Sequence, residues 1–75
     1  MAQVIFQYFK KDIDSDKILV RVNPATLEGL ELLVAATGEI AKHERQFEES
    51  IFEDLAYDEF EKSSPLEFNL HLANI

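Results

Sequence analysis

Hydrophobic and polar residues alternate most regularly near the C-terminal end of the chain. From Pro65 it reads Leu66-Glu67-Phe68-Asn69-Leu70-His71-Leu72-Ala73. Leu66, Phe68, Leu70 and Leu72 fall on one side of an extended backbone, and Glu67, Asn69 and His71 on the other. That period-two pattern predicts a half-buried strand over Leu66–Ala73. Val4–Phe9 reads the same way, with Val4, Phe6 and Tyr8 sharing a face. In a third predicted strand Ile18, Val20 and Val22 oppose Leu19 and Arg21. Lys10 to Asp16 lies between these two and is polar, as a hairpin loop would be. Asn23-Pro24 then ends the pairing, because proline lacks the donor a ladder needs.

The middle of the chain supports two readings. In one, Asn23 caps a helix with Pro24 at its first position, Leu27, Leu30, Leu33 and Val34 form the inner stripe, and Gly38 closes it. In the other, Leu30, Leu32, Val34 and Ala36 alternate with Glu31, Leu33 and Ala35. Thr37-Gly38 then makes a tight turn and Glu39 to Phe47 returns as a strand. Gly29 would sit inside the helix at a cost of about 1 kcal/mol relative to alanine. Ser50-Ile51-Phe52-Glu53 has the Ser-x-x-Glu form of a capping box, a start signal that an unbroken helix from Glu39 would not need. Ala41, Lys42, Glu44, Arg45 and Gln46 are good helix formers and argue the other way. The strand reading is preferred.

After Ser50 a short helix is expected in either case. Ile51, Phe52, Leu55 and Ala56 make its buried stripe, and Glu53 and Asp54 occupy the first turn, where the helix dipole favours negative charge. Lys62 to Pro65 is the turn into the last strand. The expected fold is a single α+β domain over residues 1–75, a small antiparallel sheet with one short helix packed on a face. The preferred order is β-β-β-β-α-β and the alternative β-β-α-α-β. No internal repeat is visible.

Charge changes the picture more than composition does. The chain carries 7 basic and 15 acidic residues, a net of −8. From Glu28 onward twelve acids meet three bases, a net of −9, whereas the first 27 residues carry four bases and three acids, a net of +1. Such a field repels nucleic acid and anionic lipid and attracts basic surfaces. With 75 residues the core is thin, and no cysteine can staple it. Self-association is a common remedy, so a homodimer is expected ahead of a monomer. The absence of cysteine fits a reducing cytosol. Met1-Ala2-Gln3 leads straight into the first apolar run without a basic signal region, and Ala73-Asn74-Ile75 matches no lipidation or retention signal. A cytoplasmic location follows as the expectation.

Candidate chemistry is sparse. Asp12-x-Asp14-x-Asp16 resembles the start of a calcium loop, but Lys17 and Asn23 stand where glycine and a bidentate glutamate belong. His43 and His71 could share a zinc ion only if the fold joined them, and their spacing gives no reason that it should. The carboxylate runs lack the contrast between a sheltered acid and an ionised partner that acid–base catalysis needs. No serine lies in a nucleophile elbow, and two glycines cannot build a phosphate cradle. Lys10, Lys11, Lys17 and Arg21 mingle with Phe6, Tyr8 and Phe9 as in single-strand binders, but Asp12, Asp14 and Asp16 dilute them. No enzyme activity, metal, cofactor, nucleic-acid or membrane partner is expected.

What remains is the acidic stretch. Glu44 to Glu61 holds eight acids in eighteen residues, interleaved with Phe47, Ile51, Phe52, Leu55, Tyr57 and Phe60. A helix cannot turn all six apolar groups inward, and Tyr57 and Phe60 are the ones expected to stay partly outside. An apolar group ringed by carboxylates suits a basic, partly apolar partner surface. The expected binding residues are Glu48, Glu49, Glu53, Asp54, Tyr57, Asp58 and Phe60, in a regulator or nucleic-acid mimic that binds a basic protein. The bland reading is a solvated acidic skin over a thin core. The alternative function is a self-assembling subunit that pairs strand edges at Val4–Phe9 or Leu66–Ala73.

Overall fold

The computed structural model describes residues 5–73. Val4, the start of the first expected strand, and Asn74-Ile75 lie outside the described residues. The elements run β1 Gln7–Ile13, β2 Asp16–Val22, β3 Glu28–Val34, β4 Ile40–Gln46, α1 Ile51–Tyr57, β5 Glu61–Lys62 and α2 Pro65–Ala73. The strands form one antiparallel sheet in the order β4-β3-β2-β1-β5, so the domain is α+β with two helices where one was expected.

The first hairpin is tighter than the polar loop expected over Lys10–Asp16. β1 stays paired with β2 through Ile13 opposite Asp16, leaving a two-residue loop. Asp14 sits there at φ 54, as the first central residue of a primed hairpin turn must, and aspartate tolerates that region. Lys10 and Lys11 belong to the strand, opposite Leu19 and Ile18 of β2, and their ammonium groups meet Glu67 and the Asp58 carbonyl. Between β2 and β3, the Asn23 side-chain oxygen accepts from the amides of Ala25 (2.9 Å) and Thr26 (3.3 Å), an Asx turn rather than a helix cap. β3 and β4 form the expected hairpin, turning through Gly38 at φ 95.

Gly29 is inside β3, opposite Val22 on β2 and Arg45 on β4. The Phe47 ring lies over it, filling the space a side chain would take. A strand glycine often marks such a close approach.

β2 is the centre of the molecule. Val20 and Val22 on one face join Phe9, Ile51 and Leu55 of α1, with Phe47, Phe52 and Phe60 packed around them. Leu19 on the other face joins Leu30, Leu32 and Phe68 of α2, flanked by Tyr8, Ile40 and Leu72. A strand covered on both faces reads as an apolar run, and Ile18-Leu19-Val20 does.

The segment Leu66–Ala73, expected to be a strand, is helical instead. Ser64 caps it, its hydroxyl accepting from the Glu67 amide at 3.2 Å, and Pro65 occupies the first turn. The apolar set splits accordingly. Phe68 is fully buried and Leu72 half-buried, whereas Leu66 and Leu70 are 68% and 57% exposed. Glu67 ties the helix to the sheet, its two oxygens lying 3.3 Å from Lys10 Nζ and 3.2 Å from Lys17 Nζ.

Candidate functional site

α1 begins where the sequence placed a helix start, but not through the expected capping box. The Ser50 hydroxyl contacts Asp54 Oδ2 at 3.0 Å and makes no bond to a backbone amide. Glu53 and Asp54 occupy the first turn, and no basic residue stands in the last. The C-terminus closes by backbone geometry alone. The Glu59 amide donates to Ala56 O (3.1 Å) and the Phe60 amide to Leu55 O (2.9 Å), a Schellman pair with Glu59 at φ 65. This closure folds Phe60 back toward Leu55 and leads the chain to β5.

Packing then sorts the helix. Ile51 and Leu55 are buried and Phe52 half-buried, but Ala56, expected in the same stripe, is exposed. Tyr57 is 89% exposed. On the helix it follows Glu53 by four residues and Asp54 by three, so these carboxylates are its surface neighbours. Asp58 adjoins it at the helix end, and Glu48 and Glu49 are exposed in the segment before the helix. Among the described residues none of Glu48, Glu49, Glu53, Asp54, Asp58, Glu59 or Glu61 forms an ion pair. Phe60 belongs less to this face. It is half-buried against the core, with Lys11 Nζ 5.7 Å from its ring centroid. Lys11 also donates to the Asp58 carbonyl at 2.6 Å, a cation meeting the end of α1. Beside the helix runs an open groove of about 500 Å³, floored by Phe9, Phe52 and Phe60 and bounded by Pro24, Ala56 and Lys62.

The other candidates are dispersed. His43 is exposed on β4, and His71 is on α2, its Nδ1 2.8 Å from the Glu67 carbonyl oxygen. His43 shares a sheet face with Glu31, on the α1 side, so the two histidines lie on opposite sides of the sheet. Asp16 accepts the Ala36 amide at 3.0 Å, a structural bond between hairpins. The four N-terminal bases do not make one patch. Lys10 and Lys17 converge on Glu67, Lys11 serves the opposite face, and the Arg21 guanidinium lies 4.6 Å from the Phe6 ring centroid and 5.4 Å from that of Phe68.

Burial pushes the Glu67 carboxyl up, but hydrogen bonds and charge from Lys17 and Lys10 outweigh it and hold the group below its ordinary value. A second cavity, about 790 Å³, is open and mixed in charge, lined by Arg21 and Lys42 together with Glu28 and Glu44. Sequence reasoning missed the bridge at Glu67, and the Ser64-Pro65-x-Glu67 cap was the signal that could have placed it. No described helix is long and apolar enough to cross a membrane. No family model, curated protein or solved structure matches the chain.

Proposed function

We propose that this chain is a non-enzymatic interaction module whose α1 face binds a basic protein surface. The observation that carries the reading is Tyr57, an aromatic ring left 89% exposed beside carboxylates that, among the described residues, have no ion-pair partner. Unpaired acids on one helix sum to a field that steers a basic partner at long range and is screened by salt. The tyrosine adds what charge alone lacks: a rigid ring whose burial on contact stabilises the complex and fixes its register. The groove over Phe9, Phe52 and Phe60 offers a seat for an apolar group from the same partner. Nothing in this reading needs a cofactor, and a chain without cysteine can work in the cytoplasm. A second reading, self-assembly, is favoured by the outer edge of β4, which pairs with no strand among the described residues.

The test is affinity capture on the immobilised chain at low salt, compared with Tyr57→Ala and with Glu53→Gln/Asp54→Asn/Asp58→Asn. A basic protein retained by the parent chain, released by salt and weakened about 30-fold or more by Tyr57→Ala supports the proposal. Retention of the same proteins by all three chains defeats it.

A further inference from the structure

We propose that β4 pairs antiparallel with β4 of a second copy of this chain, about a two-fold axis at His43, joining two sheets into one. β4 ends the sheet, with β3 on one side and, among the described residues, no strand on the other. Its residues Ala41 to Gln46 are all exposed, and of the whole strand only Ile40 packs against a core cluster. An uncovered seven-residue edge is a template for another strand.

The backbone fixes which groups face outward. At one end of the β3–β4 hairpin the Phe47 amide donates to Leu27 O (2.9 Å), and at the other the Ala35 amide donates to Glu39 O (2.8 Å). Hydrogen-bonded pairs alternate along an antiparallel ladder, so Gly29–Arg45, Glu31–His43 and Leu33–Ala41 are the bonded pairs between these two strands. Ala41, His43 and Arg45 therefore turn their amides and carbonyls toward β3. Ile40, Lys42, Glu44 and Gln46 turn theirs to the open edge.

This alternation selects the register. Centring the pair on His43 sets Lys42 opposite Glu44 of the second copy, and Glu44 opposite its Lys42. Both are residues with outward backbone groups, so the two opposite-charge pairs coincide with hydrogen-bonded positions. Ile40 faces Gln46, again outward against outward, and His43 meets its own copy at a non-bonded position. Moving the axis half a residue, between His43 and Glu44, sets Lys42 against Arg45 and outward groups against inward ones. Centring on Lys42 or Glu44 puts like charges face to face. Charge and backbone thus agree on one arrangement, and the partner they fit is this same strand. Charges that would repel a foreign edge are complementary to their own copy.

Sedimentation velocity at tens of micromolar in about 0.15 M salt tests this on the full chain. The parent chain is expected to dimerise. Lys42→Glu and Glu44→Lys each turn two attractive pairs into two repulsive ones, so each variant alone should associate at least about tenfold more weakly. An equimolar mixture of the two should recover the dimer as a heterodimer, and the double swap Lys42→Glu/Glu44→Lys should recover the homodimer. These exposed substitutions leave the core intact, and circular dichroism of each variant checks that. Amide exchange supplies a readout without any variant: protection of Lys42, Glu44 and Gln46 should rise with protein concentration, while His43 and Arg45 are protected throughout. A parent chain that stays monomeric, a dimer indifferent to both reversals, or single variants that stay apart when mixed overturns the proposal.

Discussion

Replacing Gly29 by alanine tests the packing of the sheet against Phe47. A Cβ built at Gly29 overlaps Phe47 Cε2, lies 2.8 Å from Phe47 Cδ2 and 2.7 Å from the Arg21 carbonyl oxygen. The ring could swing aside, but it is packed against the cluster of Phe9, Val20 and Val22 and would leave a gap there. The carbonyl belongs to β2, the central strand, and cannot move without its neighbours. Forcing an extra carbon into such a site costs roughly 1–3 kcal/mol. Loss of glycine's unfolded-state entropy returns about 0.4–1 kcal/mol. The net expectation is a loss of about 1.3 kcal/mol, out of roughly 4–11 kcal/mol for a chain of 75 residues. At this size that lowers Tm by about 5–10 °C.

Thermal and urea denaturation followed by circular dichroism measure it directly. Gly38→Ala is the control, because a Cβ there meets nothing within 4 Å and only the φ of 95 opposes it. Asparagine tolerates positive φ and should restore part of the loss at position 38, but it should not do so at position 29. Pairing Gly29→Ala with Phe47→Leu should make the alanine less costly than it is alone, since the branched chain clears the Cβ. A Gly29→Ala chain within about 0.5 kcal/mol of the parent would refute the reasoning, for it would mean the ring and the β2 carbonyl yield freely.

Two further expectations concern the helices. Glu59 closes α1 at φ 65, where a Cβ is strained, so Glu59→Gly should stabilise the fold by roughly 0.5–1 kcal/mol in urea denaturation, and a destabilised variant would contradict the Schellman assignment. Glu67 is held below its ordinary range in the folded chain, so its contribution is present above the unfolded value near 4.3 and is lost as pH falls through the lower folded value. The stability gap between the parent and Glu67→Gln should therefore be largest near neutrality and shrink on acidification; a gap equal at pH 7 and pH 3 would rule out the bridge to Lys10 and Lys17.

The sheet was legible in the sequence where glycine and proline punctuate it. Pro24 ended β2, Gly38 made the turn between β3 and β4, and Gly29 argued against a helix. The last element was misread because its eight residues satisfy both periods. Leu66, Phe68, Leu70 and Leu72 alternate as in a strand, yet Phe68 and Leu72 are also one helical turn apart. Ser64, Pro65 and Glu67 decide between them by satisfying the amides of a helix start. Lys10 to Ile13 has the polarity of a loop, yet it pairs with β2 residue for residue as a strand. At the site the acidic run and the exposed tyrosine were visible in advance. The division of the four N-terminal bases between two faces was not, because Lys10 and Lys17 meet a carboxylate 57 and 50 residues away.

The acidic face and the β4 edge should respond oppositely to salt, and magnitudes show why. α1 packs over β1 and β2, and Lys11 of β1 ties its end at Asp58, so the Tyr57 end of the acidic face lies toward β1 rather than the β4 edge. Pairing two copies at β4 keeps both α1 helices on one side of the joined sheet, a bivalent surface for a basic partner. It also brings two net charges of −8 to a separation of about 30 Å, the middle dimension of the molecule. In water their repulsion is about 3 kcal/mol at 0.01 M salt and about 0.2 kcal/mol at 0.15 M. Two exposed cross-strand pairs contribute only roughly 0.4–2 kcal/mol in total. Repulsion therefore wins at low salt, and the dimer should form only as ionic strength rises toward 0.15 M. Binding of a basic partner to the monomer's acidic face should weaken over that same range. Sedimentation across a salt series reads the first trend and partner affinity the second; a dimer that tightens at 0.01 M would show that the local pairs, not the net charge, govern association.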